Sequence, residues 1–414
     1  MILEKYTIGV GDRFAHQGKA QLQAMIEAKK LGIEICPVWN KSHREHTTIK
    51  SEPAAVREEA DQAVSALEWK DSYYVDADHI SIKNVDLFIE SSNFFTIDIA
   101  DFIGKAADES DVNAFVERHK NIAGSLEIDG IDKPLEIYTE QIKTIARKIL
   151  LAVKEASKIY RRIESAKGRN NFITEISMDE TDLPQTPIDM LFILTAIADN
   201  KIPIQTIAPK FIGRLYKGID YTGDVARFAK DFEEHIAVIA FAVNEFGLAE
   251  NLKLSIHSGS DKFSIYGPIN KALKKFDAGL HLKTVGTTWL EELTSLALAG
   301  GDGLKIVQKI YEGAVTNYDE LCASYATVID IDKDQLPSIE NVKSWTNEQF
   351  ANSLRNNQTC PDYNPNLRQL LHVGYKIAAL MGDEYLDALK KHEQLIAKNV
   401  TENILERHIK PVFI

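Results

Sequence analysis

Hydrophobic positions along the chain fall into two alternating periods. Short β-branched runs are each followed by a longer stretch with apolar residues three and four apart, the patterns of strand and amphipathic helix. The first such pair is 5–10, which ends Ile8-Gly9-Val10, and 17–31. Further runs at 33–38, 72–76, 122–128, 171–177, 202–207, 252–257 and 281–285 predict strands, and 135–165, 187–199 and 222–246 predict helices. Thr186 before Pro187 marks a helix start, because proline's missing N–H has no intrahelical partner in the first turn. This alternation predicts a TIM-type (β/α)8 barrel, in which the C-terminal ends of all strands converge on one face.

Two stretches depart from the alternation. Residues 93–121 are longer and more irregular than an ordinary connection, and Ala106-Ala107-Asp108-Glu109-Ser110-Asp111 is acidic. This segment reads as an irregular insertion or lid, but the favoured reading of its acidic run is the first turn of a solvated helix with no ligand. From about Asp330 the strand pattern fades, and 367–381 and 383–397 read as helices. The expected organisation is a catalytic barrel over 1–330 and a helical C-terminal extension over 331–414 packed on it.

Composition narrows the function. The 414 residues are 44% hydrophobic and 26% charged, as in an ordinary globular protein. A net charge of −13 disfavours nucleic acid and anionic membrane surfaces as partners. Cys36, Cys322 and Cys360 are too scattered for a paired metal motif or a disulfide framework. No signal-like leader or membrane-length apolar run is evident, so a soluble cytoplasmic protein is expected. Gly9-Val10-Gly11-Asp12 follows a strand but lacks the spacing of a dinucleotide-binding loop, and nucleotide chemistry has little support.

The strand ends carry the chemistry. Tyr74-Val75-Asp76-Ala77-Asp78-His79 and Leu254-Ser255-Ile256-His257 both run from a β-rich segment into an imidazole, the second followed by Ser258-Gly259-Ser260-Asp261-Lys262. Imidazole and carboxylate donors suit a borderline divalent cation, which can polarise a substrate oxygen, so His79 and His257 are candidate ligands. Glu175 lies within an apolar strand and needs a partner if buried. It is the candidate third ligand, with a buried salt-bridged glutamate as the alternative. Glu127 competes for that role, while Asp179 and Glu180 either supply acid–base chemistry or begin a turn. Asp78 is the candidate base. Adjacent strand residues face opposite ways, so Asp78 and His79 share a site only if the strand geometry breaks there. The cation's identity among Zn, Mn, Ni, Co and Fe stays open.

The segments VDADHI (75–80), TEISMDET (174–181), APKFIGRLYKGIDYTGD (208–224), SIHSGSDKFSIYG (255–267) and TVGTTWLEE (284–292) together resemble the tagaturonate epimerase family. The resemblance implies a divalent-metal-dependent isomerase interconverting D-tagaturonate and D-fructuronate. The Asp78-His79 and His257-Ser258-Gly259-Ser260 segments are also distantly similar to class II aldolases. That similarity suggests retro-aldol chemistry, with Asp78 as base and Glu175 or Glu127 exchanging the second proton if it is not a ligand. No histidine occurs in 210–217, where many aldolases place a ligand, so a carboxylate must complete the shell. Lys210, Arg214, Lys262 and Lys283 are candidates to pair with the substrate carboxylate. Ser258, Ser260 and Asp261 are expected in the substrate-facing wall. The expected partner is a small-molecule sugar acid, and a homo-oligomer is compatible with the sequence. A related metal-dependent aldolase or isomerase is the alternative activity, and a noncatalytic sugar-acid-binding protein stands behind both.

Overall fold

The computed structural model describes residues 1–414. Ten strands form: β1 (Tyr6–Val10), β2 (Cys36–Ser42), β3 (Tyr74–Ile80), β4 (Phe94–Asp98), β5 (Gly124–Leu126), β6 (Leu135–Ile137), β7 (Ile173–Ser177), β8 (Thr206–Ala208), β9 (Lys253–Ile256) and β10 (Leu280–Lys283). Eight of them close into a parallel barrel in the order β1-β10-β9-β8-β7-β4-β3-β2, and β5 pairs with β6 as a separate antiparallel hairpin. Helices pack around the barrel, making it a TIM-type (β/α)8 fold.

One expected strand changes place. The 122–128 run forms an arm of the β5–β6 hairpin, and the fourth barrel strand is β4, inside the stretch expected to be a lid or insertion. Phe94, Phe95 and Ile97 are fully buried, and β4 pairs with β3 on one side and β7 on the other. The acidic run opens the helix Glu109–His119, where Asp108 accepts from the Ser110 N–H and Glu109 and Asp111 occupy the first turn. Acidic groups there complement the unpaired N–H groups of a helix start. Thr186 caps Pro187–Asp199, with its hydroxyl accepting from Asp189 N.

The barrel strands have unlike faces. Outward residues such as Ile8, Trp39, Val75, Phe95, Ile176, Leu254 and Leu282 belong to an apolar core of 102 buried residues reaching from Ile8 to Phe413. Inside, a small plug of Leu3, Cys36, Val38, Tyr74, Phe94 and Ile173 forms a second apolar cluster. Along the same strand faces, at two-residue spacing, follow Asn40, Asp76, Thr96, Glu175, Ser255 and His281, all buried. A barrel interior is ordinarily filled by branched aliphatic side chains. Here the layers nearer the mouth are polar: Thr96 donates to Asp76 and His281 bonds to Thr7, while the side chains of Asn40 and Ser255 find no protein partner.

The chain after β10 is helical. Gly286–Ala299 and Gly301–Thr316 follow in order, and Pro365–Val373, Glu393–Glu402 and the π-helical turn Asn403–Ile409 return to pack on the earlier elements. Buried side chains from these helices, including Leu370, Val400 and Ile409, lie in the same core as the barrel's outer face.

Candidate active site

A cavity of about 670 Å³, counted to its open mouth, lies at the C-terminal ends of the barrel strands. Of its 17 lining residues only Val285 and Tyr325 are hydrophobic, so its walls suit a polyhydroxylated, charged molecule better than an apolar one.

The strand geometry breaks where β3 meets this cavity. His79 adopts a left-handed backbone with φ of 53°, and the pairing of β3 with β4 shifts register between Ala77 and Ile80. That conformation is uncommon outside glycine and tends to mark functional strain. Its consequence is that Asp78 and His79 both line the cavity, despite being neighbours in the chain. Ser258 repeats the feature after β9, with φ of 50°.

His79, Asp179 and His257 each offer a donor atom within 4.8 Å of the other two. Each imidazole is steadied by a carboxylate at its other nitrogen. His257 Nε2 lies 2.7 Å from Glu175 Oε1, leaving Nδ1 3.1 Å from Asp179 Oδ1. His79 Nδ1 lies 3.2 Å from Asp98 Oδ2, with Nε2 toward Asp78 at 3.9 Å. The rings stand at 75° with centroids 5.1 Å apart. Ser177 donates its hydroxyl to Asp179 at 2.6 Å. Two imidazoles and a carboxylate, with outer carboxylates orienting the rings, form a donor set that fits a borderline divalent cation.

Glu175, the expected third ligand, sits elsewhere. It is fully buried, lies behind His257 and does not line the cavity. Asp179 occupies the converging position instead. Its signal was the strand period, for Glu175, Ser177 and Asp179 are two residues apart and the alternation carries past the end of β7. Glu127 is exposed beside the β5–β6 hairpin, whose turn at Gly130 packs against Phe276, so it has no access to this cavity.

Below the histidines, Lys283 gathers the carboxylates. Its ammonium donates to Asp78 Oδ1 at 2.7 Å, Asp76 Oδ2 at 2.9 Å and Thr96 Oγ1 at 2.7 Å, and lies 3.0 Å from Glu175 Oε1. Burial disfavours an ionised Asp78, but Lys283, His79 and His257 outweigh it and hold the carboxyl well below its ordinary range. Asp76, deeper in the barrel, is pushed up to about 6 by burial, against the pull of Lys283. Although Lys283 lines the cavity, its donors are committed to these groups rather than free for a substrate carboxylate.

The other expected substrate contacts divide. Ser258 and Ser260 line the cavity, and Lys210 lines an adjoining one with Asp179 and His257. Asp261 and Lys262 are fully buried and point away from it. Asp261 pairs with Arg368 at 2.7 Å, and the Lys262 ammonium donates to the carbonyls of Tyr216, Ile219 and Ser260. Arg214 is exposed. The cavity adds Arg13, in the polar 12–18 turn after the first strand, Arg44 and Glu45, just past the end of β2, and Lys217 and His372, which lie on a connection and a helix without a strand-end pattern to reveal them. Arg13 is ion-paired with Glu45 and stacks on Tyr375 at 4.6 Å, while Arg44 stacks on Tyr325 at 4.6 Å.

A model of the tagaturonate epimerase family matches residues 1–412. The chain belongs to the tagaturonate epimerase family. It is similar to the tagaturonate/fructuronate epimerase of Thermotoga maritima, 25% identical over 422 residues covering 97% of this chain and 80% of that protein. Among solved structures, the fructuronate-tagaturonate epimerase of Cohnella laeviribosi superposes with a TM-score of 0.82 at 24% identity, covering all of this chain and 82% of that one. A probable tagatose 6-phosphate kinase from Sinorhizobium meliloti shares the fold more loosely, with a TM-score of 0.51, 9% identity, and coverage of 98% of this chain and 100% of that one. In this member of the tagaturonate epimerase family, no helix is long and apolar enough to cross a membrane.

Proposed function

We propose that this chain interconverts D-tagaturonate and D-fructuronate by retro-aldol cleavage and re-addition, with a divalent cation held by His79, Asp179 and His257. The observation that carries the reading is the convergence of those three donors beside the Asp78 carboxyl group in a polar cavity at the barrel mouth. Family membership and the name of the Thermotoga maritima relative support this substrate pair.

The stereocentre that differs between the two sugar acids is not directly α to the ketone, so enolisation alone does not invert it. Cleavage of the bond between that carbon and the α carbon does. Asp78 accepts the proton from the hydroxyl on the epimerised carbon. As the carbon–carbon bond breaks, its electron pair passes to the ketone-bearing fragment, giving an enediolate, and the other fragment becomes an aldehyde. The aldehyde turns, the bond re-forms on its opposite face, and Asp78 returns the proton. A bound divalent cation supplies the positive charge that a developing oxyanion requires. Lys283 keeps Asp78 ionised between turnovers, and Glu175 fixes the ring of His257. Ser258 and Ser260 offer hydroxyls to the sugar.

The test uses tagaturonate deuterated at the epimerised carbon, incubated with metal-supplemented enzyme. Fructuronate that keeps the deuterium is expected. Deuterium lost to solvent would replace cleavage with direct deprotonation, and accumulation of separated fragments would make the protein an aldolase.

A further inference from the structure

We propose that Lys217 binds the carboxylate of the sugar-acid substrate, and that Lys262 and Arg368 position it from behind. The proposal rests on the sugar-acid reading and assigns the group that recognises the acid. Four lysine or arginine side chains line the cavity. Arg13 is paired with Glu45, Arg44 with Glu180 at 3.4 Å, and Lys283 with Asp76, Asp78 and Glu175. Lys217 has no carboxylate partner, and its ammonium donates only to Ser258 Oγ, at 3.2 Å. An ammonium carries three donors, so two stay available to the cavity. Burial and the neighbouring Arg44 both disfavour its charge, an imbalance that an entering carboxylate offsets.

The loop bearing Lys217 is held on every side. Lys217 N donates to Val328 O at 2.8 Å. The Lys262 ammonium donates to Tyr216 O at 2.8 Å and Ile219 O at 2.7 Å, while the Arg368 guanidinium donates to Gly218 O. Two fully buried basic side chains thus fix the backbone on both sides of Lys217. Arg368 also pairs with Asp261, which ties this loop to the one carrying Ser258. Binding energy is best used by a charge whose position is fixed beforehand. Lys262 and Arg368 therefore serve the substrate through Lys217 and are positioning residues, with Asp261 holding Arg368.

The test compares wild type with Lys217→Met and Lys217→Arg. A lost charge-assisted hydrogen bond corresponds to about 10- to 100-fold in affinity. Lys217→Met is expected to raise KM for tagaturonate by that factor with kcat changing much less, and Lys217→Arg to recover most of the loss. Calorimetric binding of tagatose, which lacks the carboxylate, should be the same in wild type and Lys217→Met. If Lys217→Met misfolds, Lys217→Gln carries the same expectation. An unchanged KM in an active Lys217→Met enzyme, or equal weakening of tagatose, overturns this assignment alone. A wild type that neither binds nor turns over tagaturonate overturns the sugar-acid reading, and this assignment with it.

Discussion

Replacing Arg368 with methionine removes one half of a pair with no solvent access on either side. Arg368 and Asp261 are both fully buried, with Nη2 to Oδ2 at 2.7 Å, and the same guanidinium also donates to Gly218 O and Leu354 O. Burial alone would raise the Asp261 pKa, but Arg368 leads the charges that hold it below its ordinary range. In Arg368→Met that carboxylate is left without its main partner. Breaking such a pair from one side costs about 3–5 kcal/mol. With a urea m-value of about 3 kcal/mol/M, the first unfolding midpoint should fall by about 1–1.7 M. Urea denaturation followed by circular dichroism reads this directly. Asp261→Leu combined with Arg368→Met removes both charges, so the double variant should be less destabilised than the sum of the singles by more than about 1 kcal/mol. A midpoint at the wild-type value, or strictly additive singles, would refute the reasoning that the pair is an internal electrostatic unit.

Glu175→Gln keeps the shape of the group behind His257 but removes its charge; competition with a chelator should show metal affinity reduced about 10- to 100-fold while the fold is retained. Metal affinity equal to wild type would mean that Glu175 does not orient the ring. Glu127→Gln changes an exposed side chain beside the β5–β6 hairpin, and both kcat/KM and metal content should stay at wild-type values.

Much of the barrel was legible because its strands have an apolar outer face and abrupt polar ends. The period of two brought out Lys253–Ile256 and Ile173–Ser177 within a few residues, and the Thr186-Pro187 start was readable from local backbone chemistry alone. Phe94–Asp98 was hidden because a five-residue apolar run amid short 3-10 turns has no neighbouring helix of its own, as Val85–Leu87 and Ala100–Phe102 flank it. The 122–128 run has the same local pattern as a barrel strand, and only its pairing partner distinguishes a hairpin arm. In the site, His79, His257 and Asp78 were readable because each ends a strand. Asp261 and Lys262 follow His257 just as closely, but Asp261 has φ of 62° and both side chains turn inward to buried partners. Proximity in sequence therefore misassigned their direction. Lys217 and His372 depend on long-range packing, which no local spacing encodes.

The return of the C-terminal helices sets an order of events during synthesis. All eight barrel strands have been translated once residue 283 is made, so the sheet can close early. His372, which lines the cavity, Arg368, which holds two of its loops, and His408, which accepts from Asp261 N at 3.0 Å, come much later. A chain ending between these points carries every barrel strand and the three converging donors, but lacks His372 and the Arg368 guanidinium that holds the Lys217 loop. The finished pocket therefore depends on side chains far beyond the last barrel strand, and a truncation that spares the whole sheet still leaves its mouth incomplete.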